Sequence, residues 1–335
     1  MPGYDAHYLY GISSYRAYSK ACVAKTDEEE CLRKIIKDYK NFYVVGLMGP
    51  DPFFYSIPET VRKGRNIGSI MHTDEANNFF RNMFRYAAFQ PDAESMYKAV
   101  AYICGFLGHY TLDVAAHPYI YARTGYIPGK KDKEYISEHF KFETQIDITL
   151  VKEMTDLTPN KFKNSTFKAS ISDLSFIADM LVYAVNRTYA RNLKKAEAQA
   201  ALISMSYESR ATRITSQGVK NGLGAVEKKI FGRKYISELM PGDNSVTFDD
   251  PLNKEHATWA NPWAPENESD KSFYDLMDSA KEEMLRLLAL LNDAFDYNDP
   301  KMPQLRGMGN EAERFLTEIG NKSYHSGLPE ELGLG

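Results

Sequence analysis

The sequence predicts an all-α protein, built as a single-domain bundle of many helices. Apolar residues recur at spacings of three and four along most of the chain, as in Phe273, Leu276, Met277, Ala280 and Met284. This is the period of one buried helix face, whereas the two-residue alternation of a half-buried strand is nowhere sustained. No internal repeat or interdomain linker divides the chain, so we expect residues 1–335 to form one domain.

The same period places the elements in chain order. Helices are predicted over residues 8–22, 27–42, 74–89, 92–117, 134–154, 173–193, 196–214 and 273–295. Because a proline disfavours helical geometry in the residue before it, the fourth helix is expected to end at His117, ahead of Pro118. The long connection 241–265 holds both tryptophans, and such loops are often functional or cover a site. Residues 300–335, rich in proline, glycine and charge, are predicted to form a loosely packed tail.

Composition excludes several classes of protein. With 41 basic and 45 acidic side chains the formal charge is −4, which argues against the basic face that non-specific nucleic-acid binding needs, so no stable nucleic-acid complex is expected. No apolar run approaches the roughly 18 to 20 residues of a membrane span, so no transmembrane segment is expected. The first residues do not resemble a signal peptide, and the three cysteines form no CxxC pair. We therefore expect a cytoplasmic protein; its oligomeric state is left open.

Histidines carry the functional information. His109, Asp113 and His117 stand four residues apart and therefore share one face of a helix, and His139 and Glu143 repeat this spacing on the next helix. One such pair is more often a satisfied polar contact, but two pairs on facing helices, in apolar surroundings, are typical of a metal site. Zinc suits mixed nitrogen and oxygen ligands. His256 and His325 lack carboxylates in the right phase and are interpreted as structural or exposed.

These residues resemble the zinc-dependent phospholipase C family, which shares its helical fold and trinuclear zinc site with the single-strand-specific zinc nucleases. The family's ligands come in the order His, Asp, His, His-x3-Asp, His, and His-x3-Glu or His-x3-Asp. This chain supplies a residue for every position, all within residues 1–150: His7, Asp51, His72, His109, Asp113, His117, His139 and Glu143. The resemblance implies the all-α bundle of the phospholipase C and zinc nuclease type, with two or three bound zinc ions.

The resemblance also implies how the ligands divide. One zinc would be held by His72, His109, Asp51 and Asp113, a second by His117, His139 and Glu143, and a third by His7 and a shared Asp113. In the family an N-terminal tryptophan completes the third site, and this chain has none there. Our hypothesis is that removal of Met1 leaves Pro2 as the replacement, so an uncleaved tag is expected to lower the metal content. Glu138, Asp147 and Asp74 are candidates for orienting the imidazoles.

The activity implied by the resemblance is zinc-dependent hydrolysis of a phosphoric diester, such as a small-molecule or lipid phosphodiester. A hydroxide between the metals would attack phosphorus, with Asp51 orienting it or taking its proton. Phe53, Phe54 and Tyr55 are candidates to hold a choline ammonium by cation–π contact, or they simply pack their loop onto the bundle.

Two alternatives remain open at this stage. The first is a nuclease or 3′-nucleotidase on the same cluster, for which Arg62, Lys63 and Arg65 beside Tyr55 are the candidate contacts. The second is a non-catalytic helical protein whose metal cluster is structural, with every coordination position closed by protein.

Overall fold

The computed structural model describes residues 3–22, 31–55, 65–130, 133–162, 168–213, 216–234, 236–296, 304–305 and 310–330. Within these ranges the chain forms twelve α-helices: α1 Tyr4–Ala21, α2 Cys31–Asp38, α3 Lys40–Gly46, α4 Ile67–Met71, α5 Ala76–Ala88, α6 Ala93–Arg123, α7 Lys133–Thr155, α8 Ile171–Tyr189, α9 Lys195–Ala211, α10 Gln217–Phe231, α11 Phe273–Asp293 and α12 Asn310–Ile319. Short 3-10 helices cover Asp51–Tyr55 and Ile236–Leu239. Two small antiparallel hairpins, β1 Trp259–Asn261 with β2 Ala264–Ser269 and β3 Phe295–Asp296 with β4 Gln304–Leu305, complete the described part. The all-α prediction is confirmed.

Helix α6 is the central element of the bundle. It contacts α1, α2, α3, α5 and α11, and one contiguous cluster of buried apolar side chains spans Ala6 to Tyr324. Where α3 crosses α6, Gly46 and Gly105 allow the two backbones to touch, because a Cβ on either residue would overlap a carbonyl oxygen of the other helix. This close crossing holds the loop after α3, which leads to Asp51, against the middle of α6.

The expectation that no segment is apolar enough to span a membrane is wrong for α6. By length and composition alone this helix could cross a bilayer, but 89% of its most apolar window is buried inside the protein. The core helix of a globular bundle passes the same test. Its apolar character is therefore explained by its central position.

The predicted end of this helix at His117 is also wrong, because α6 continues through Pro118 to Arg123. A proline inside a helix leaves the carbonyl four residues earlier, here that of Val114, without its N–H partner. The turn at Gly327 packs against this carbonyl with a φ of +66°, and a Cβ on Gly327 would lie 2.6 Å from the Val114 oxygen. The helix therefore continues through Pro118 at a position where the turn at Gly327 covers the unpaired carbonyl group.

The predicted loose tail is wrong for residues 310–330. Helix α12 packs against α5 and α11, and the rings of Phe84 and Phe315 lie 5.6 Å apart. Phe315, Leu316 and Tyr324 are buried. The described part of the tail thus belongs to the core and closes one side of the bundle.

Candidate metal centre

Two helices position five of the predicted ligands. His109, Asp113 and His117 follow one another by single turns along α6, and all three side chains are fully buried. His139 and Glu143 stand one turn apart on α7, and both are buried. The one-turn spacing in the sequence therefore places each set on one face, as predicted.

Three further ligands reach the same place from other elements. His7 lies on α1, Asp51 begins the 3-10 helix after α3, and His72 caps the C-terminal end of α4. The loop between α3 and Asp51 passes His109 at Gly49, which has a φ of +50°. A Cβ at Gly49 would collide with the His109 ring, so glycine is needed there both for the backbone conformation and for space.

Asp113 lies at the centre of the group. Its Oδ1 is 3.3 Å from Nε2 of His7. Its Oδ2 is 3.0 Å from Nε2 of His109, 3.4 Å from Nε2 of His72 and 3.6 Å from Nδ1 of His117. One carboxylate thus faces four imidazoles.

The other two carboxylates face two imidazoles each. Oδ1 of Asp51 lies 3.5 Å from Nε2 of both His72 and His109. Oε1 of Glu143 lies 2.8 Å from Nε2 of His139 and 3.9 Å from Nε2 of His117. Three groups of side chains in the described part have ligand atoms close enough to hold a cation: His7 with His109 and Asp113; Asp51 with His72 and His109; and His117 with His139 and Glu143.

The geometry fits zinc. Two ligands of one tetrahedral zinc, each about 2.0 to 2.2 Å from the metal, lie roughly 3.3 to 3.6 Å apart, as most of these pairs do. Several of the inward atoms are buried without a hydrogen-bond partner in the described residues: Nε2 of His7, His72 and His109, Oδ1 of Asp51, both oxygens of Asp113 and both nitrogens of His117. Such groups are costly to bury unpaired, and bound cations would satisfy them together.

Outward contacts fix the direction of the imidazoles. Nδ1 of His72 lies 2.7 Å from the Gly68 carbonyl oxygen, and Nδ1 of His109 lies 3.1 Å from that of Leu47. Nδ1 of His139 lies 2.7 Å from the Tyr135 hydroxyl. In each case Nε2 is left facing the carboxylates, which is the usual arrangement of metal-binding histidines.

Burial and charge set the protonation of the group. Burial, together with the neighbouring His109, lowers the pKa of His7 to about 4. Burial also lowers the pKa values of His117 and His139 well below the ordinary range, whereas the imidazoles of His109 and His117 hold the pKa of Asp113 well below its usual value despite its burial. At neutral pH the imidazoles of His7, His117 and His139 are therefore neutral and the Asp113 carboxylate is anionic, the forms that bind metal.

His72 differs from the other ligands. Burial alone would lower its pKa, but the carboxylates of Asp113 and Asp51 raise it to about 9. A protonated His72 thus partly neutralises two buried carboxylates. A divalent cation among the same atoms would take over that role and displace the proton.

Of the three proposed orienting carboxylates, Asp147 connects its own helix, α7, to the helix that carries His7. Its oxygens accept hydrogen bonds from the backbone N–H groups of Asp5 and Ala6, at 3.1 and 2.8 Å, in the first turn of α1. It therefore holds the helix that carries His7. Asp74 pairs with Arg65 at 2.8 Å and Glu138 lies 3.7 Å from Lys141, so neither reaches the imidazoles as predicted.

Sequence reasoning missed His325, which it interpreted as structural or exposed. The His325 ring stacks on that of His72 and meets that of His117 edge-on, with both centroid distances at 5.5 Å. Nδ1 of His325 lies 2.7 Å from the Tyr121 hydroxyl. The sequence did not indicate this role, because no carboxylate lies three or four residues from His325.

The tryptophan loop reaches the outer layer of the site. The Trp263 ring lies 4.8 Å from that of Tyr121, which in turn lies 4.8 Å from the ring of His139. Trp259 packs on Tyr119, also on α6, at 5.5 Å. The expectation that this long connection covers a site agrees with these contacts.

The three aromatic residues after Pro52 point in different directions, as the three residues per turn of a 3-10 helix require. Phe53 is buried in the core, so its predicted contact with substrate is wrong. Phe54, three residues after Asp51, lies on the same side and packs 5.4 Å from the His72 ring. Tyr55 lines a small cavity together with Asp51 and Glu143.

Two of the residues considered at this site fall outside the described part of the chain. Met1 and Pro2 are not described, so the predicted Pro2 ligand stays a prediction. The first described residue, Gly3, lines the same small cavity as Asp51 and Glu143. The chain therefore enters α1 beside the metal-binding groups.

Comparison with known families identifies the family of this protein. The family model described as zinc dependent phospholipase C matches residues 19–198, more than half of the chain. The protein belongs to the zinc-dependent phospholipase C family. The matched region contains every predicted ligand except Pro2 and His7, and it does not include His325. No curated protein and no solved structure matches the chain.

Membership in the zinc-dependent phospholipase C family explains the clustered ligands. It indicates a zinc-dependent hydrolase that acts on phosphodiesters, and the three groups of histidine and carboxylate atoms are suited to holding zinc.

Proposed function

We propose that the protein is a phospholipase C-like phosphodiesterase, in which water activated at the metal centre attacks phosphorus. The observation that carries this proposal is the set of buried, inward-facing nitrogen and oxygen atoms that lack hydrogen-bond partners among the described residues. A purely structural polar core would pair these atoms with each other or with the backbone. One of these residues, Asp51, also lines the small cavity, which favours bound cations that can contact a substrate there.

Zinc ions held by the three groups would lower the pKa of a coordinated water toward about 7 and offset the charge that builds up on the phosphoryl oxygens. Asp51 and Glu143 are the ligand carboxylates that also line the small cavity. Asp51 is placed to orient the attacking water and to accept its proton, since its Oδ1 has no other hydrogen bond in the described part. Asp113 is fully buried and serves to hold the imidazoles together.

The walls of the cavity favour a substrate with little bulk at phosphorus. Besides the carboxylates of Asp51, Glu143 and Asp147, the cavity is lined by the rings of Tyr4, Tyr55 and Phe140. Aromatic walls exclude bulk water and could pack on a choline or lipid head group. A small-molecule or lipid phosphodiester is therefore the substrate class we propose.

Little in the described residues favours the nuclease alternative. Arg65, one of its three candidate cations, is held by Asp74 and also contacts Thr73. Arg62 and Lys63 lie outside the described residues. Binding of single-stranded nucleic acid requires aromatic rings for base stacking and basic side chains along a groove. The contacts of Arg65 do not supply such a groove.

The number of ions depends on the group around His7. Both partners of His7 are shared: His109 also belongs to the group of Asp51 and His72, and Asp113 also lies close to His72 and His117. A third ion beside His7 therefore needs a further donor from outside this group. Pro2 is the donor we propose. With that donor the centre holds three zinc ions, and without it two.

The test is a substrate panel with the untagged protein. Phosphocholine esters, a generic aryl phosphodiester, 3′-nucleotides and single-stranded DNA are assayed with and without a chelator. We expect chelator-sensitive hydrolysis of the phosphodiesters, and a loss of at least about a hundredfold in Asp51→Asn, whose zinc content is measured alongside its activity. Preferential cleavage of nucleotides would establish the alternative, and zinc-replete protein inactive on every substrate would point to a structural cluster.

A further inference from the structure

Exposed apolar side chains are concentrated on α10 and the turn that follows it. Among the large hydrophobic residues that are exposed in the described part, five fall between residues 219 and 236, with exposed fractions from 39% for Ile236 to 66% for Ile230: Val219, Val226, Ile230, Phe231 and Ile236. Single exposed apolar residues are ordinary, but a contiguous group marks an interaction surface.

The geometry of α10 turns this group away from the protein. Val219, Val226 and Ile230 are separated by seven and four residues and therefore share one helix face. Gly224 and Glu227 on another side of the helix are buried. The Glu227 carboxylate accepts hydrogen bonds from the backbone N–H groups of Ile236 and Ser237, at 2.7 and 3.1 Å, and so fixes the helix to the next turn.

The charges around this face have one sign. Residues 217–236 contain five basic side chains, Lys220, Lys228, Lys229, Arg233 and Lys234, and one acidic side chain, Glu227, which is buried. An amphipathic helix with an exposed apolar face and surrounding cations is typical of segments that lie in the interface of an acidic bilayer. A second copy of this chain is a poor partner, because two such basic faces would repel each other.

A cleft of about 410 Å³ runs beside α10, between it and α7. Its basic lining residues are Lys141, Lys220, Lys228, Arg233 and Lys234. Two carboxylates also line it, and they lie near two of these lysines, Glu138 at 3.7 Å from Lys141 and Glu238 at 3.4 Å from Lys234. The remaining positive charge suits the phosphate of a lipid head group.

This surface is joined to the metal centre through the 3-10 helix Ile236–Leu239. The Thr144 hydroxyl, next to the ligand Glu143, donates a hydrogen bond to the Glu238 carbonyl oxygen at 2.7 Å. Leu239 lines the small cavity beside Asp51. The exposed Ile236 and the cavity-lining Leu239 therefore lie on the same short 3-10 helix, with only two residues between them.

We propose that residues 217–234, together with Ile236, form a docking surface for a bilayer that contains acidic phospholipid, and that it brings the metal centre to the membrane surface. The apolar face of α10 enters the head-group region, and the surrounding cations contact lipid phosphates. The purpose of this contact rests on the proposed phosphodiesterase function, but the binding itself requires no turnover.

Vesicle co-sedimentation tests the proposal. The full chain is mixed with vesicles of phosphatidylcholine alone, or of equal parts phosphatidylcholine and phosphatidylglycerol. We expect binding to the mixed vesicles, weakened by added salt, and little binding to phosphatidylcholine alone. The double variant Ile230→Ser with Phe231→Ser, and the double variant Lys228→Gln with Lys229→Gln, are each expected to lose about tenfold or more in vesicle affinity.

The matched control replaces two similarly exposed apolar residues elsewhere, Phe89→Ser with Ile171→Ser, which should bind as wild type does. Wild-type affinity in both α10 variants would overturn the proposal, as would equal binding to both vesicle types. The proposal would also be overturned if the wild type were a dimer that the Ile230 and Phe231 changes dissociate while vesicle binding stays intact. The apolar face would then be a protein interface.

The docking surface and the proposed activity can fail separately. Asp51→Asn should bind vesicles as wild type does, and the α10 variants should hydrolyse a short, water-soluble phosphodiester at the wild-type rate. Vesicle binding without any hydrolysis would leave docking standing and remove the proposed function. Hydrolysis of the soluble diester without vesicle binding would support the proposed function and overturn the docking surface.

Discussion

Asp113 shows what the sequence can predict at the scale of single residues. One-turn spacing from His109 and His117 places it on their face, and the structure brings its two oxygens to four imidazoles. His325 shows the opposite case. It reaches the centre because the C-terminal segment folds over α6, and no local spacing in the sequence encodes that packing.

His325→Ala is expected to weaken zinc binding by about tenfold or more, because the rings of His72 and His117 lose the side chain that packs between them. His325→Phe restores the ring without the nitrogen that meets Tyr121 and should recover part of the loss. Zinc transfer to a chromogenic chelator measures both. The control is His256→Ala, an exposed histidine, and equal zinc release by all four proteins would show that His325 does not position these ligands.

At the scale of elements, the long helices with a regular buried apolar face were predicted, whereas α10 and α12 were missed for two different reasons. Helix α10 contains Gly218, Gly222 and Gly224, which weaken a helix pattern, and its apolar residues face outward. Helix α12 is only 10 residues long and lay in a segment dominated by breakers. Their positions follow from tertiary contacts, such as the Glu227 hydrogen bonds, that a single sequence does not display.

The first turn of helix α1 is held by hydrogen bonds to Asp147, so the stability of the fold is expected to depend on the protonation of this side chain. Burial and the neighbouring Asp5 raise the pKa of Asp147 to about 8. A carboxyl with a raised pKa stabilises the fold at low pH, and this contribution is lost as pH rises through about 8. Asp147→Asn loses one acceptor for the N–H groups of α1, but it cannot ionise.

We therefore expect Asp147→Asn to be less stable than wild type at pH 5, by about 1 kcal/mol, and this difference to shrink and then reverse as pH rises toward 9. Urea unfolding at several pH values measures it. Glu138→Gln, an exposed carboxylate on the same helix, is the control and should leave the pH dependence unchanged. A difference between wild type and Asp147→Asn that is constant from pH 5 to 9 would contradict the assignment.

At the scale of the whole molecule, the metal centre joins parts of the chain that are far apart in sequence. Residues from α1, α4, α6, α7 and the segment after α12 meet in one buried polar group inside a continuous apolar core. The family resemblance pointed to the eight side chains that the structure brings together. It did not predict the contribution of the C-terminal segment, which lies outside the region that the family model matches.

Removal of metal should therefore destabilise the whole fold. Without cations, the carboxylates of Asp51, Asp113 and Glu143 remain buried near one another. We expect a chelator to lower the thermal midpoint by about 5 to 15 °C, and added zinc to restore it. Calorimetry of the untagged protein measures the shift, and an unchanged midpoint after verified zinc removal would show that the centre does not contribute to the fold.

The most direct test of the central claim is the zinc content of the untagged protein, measured by plasma mass spectrometry after free metal has been removed. We predict two or three zinc ions per chain for the wild type, one for each group that is filled. Asp113→Asn should lose at least one of them while keeping its helical circular dichroism spectrum. Wild-type protein without bound zinc, or folded Asp113→Asn with the full wild-type content, would contradict the convergence of these side chains on a shared metal centre.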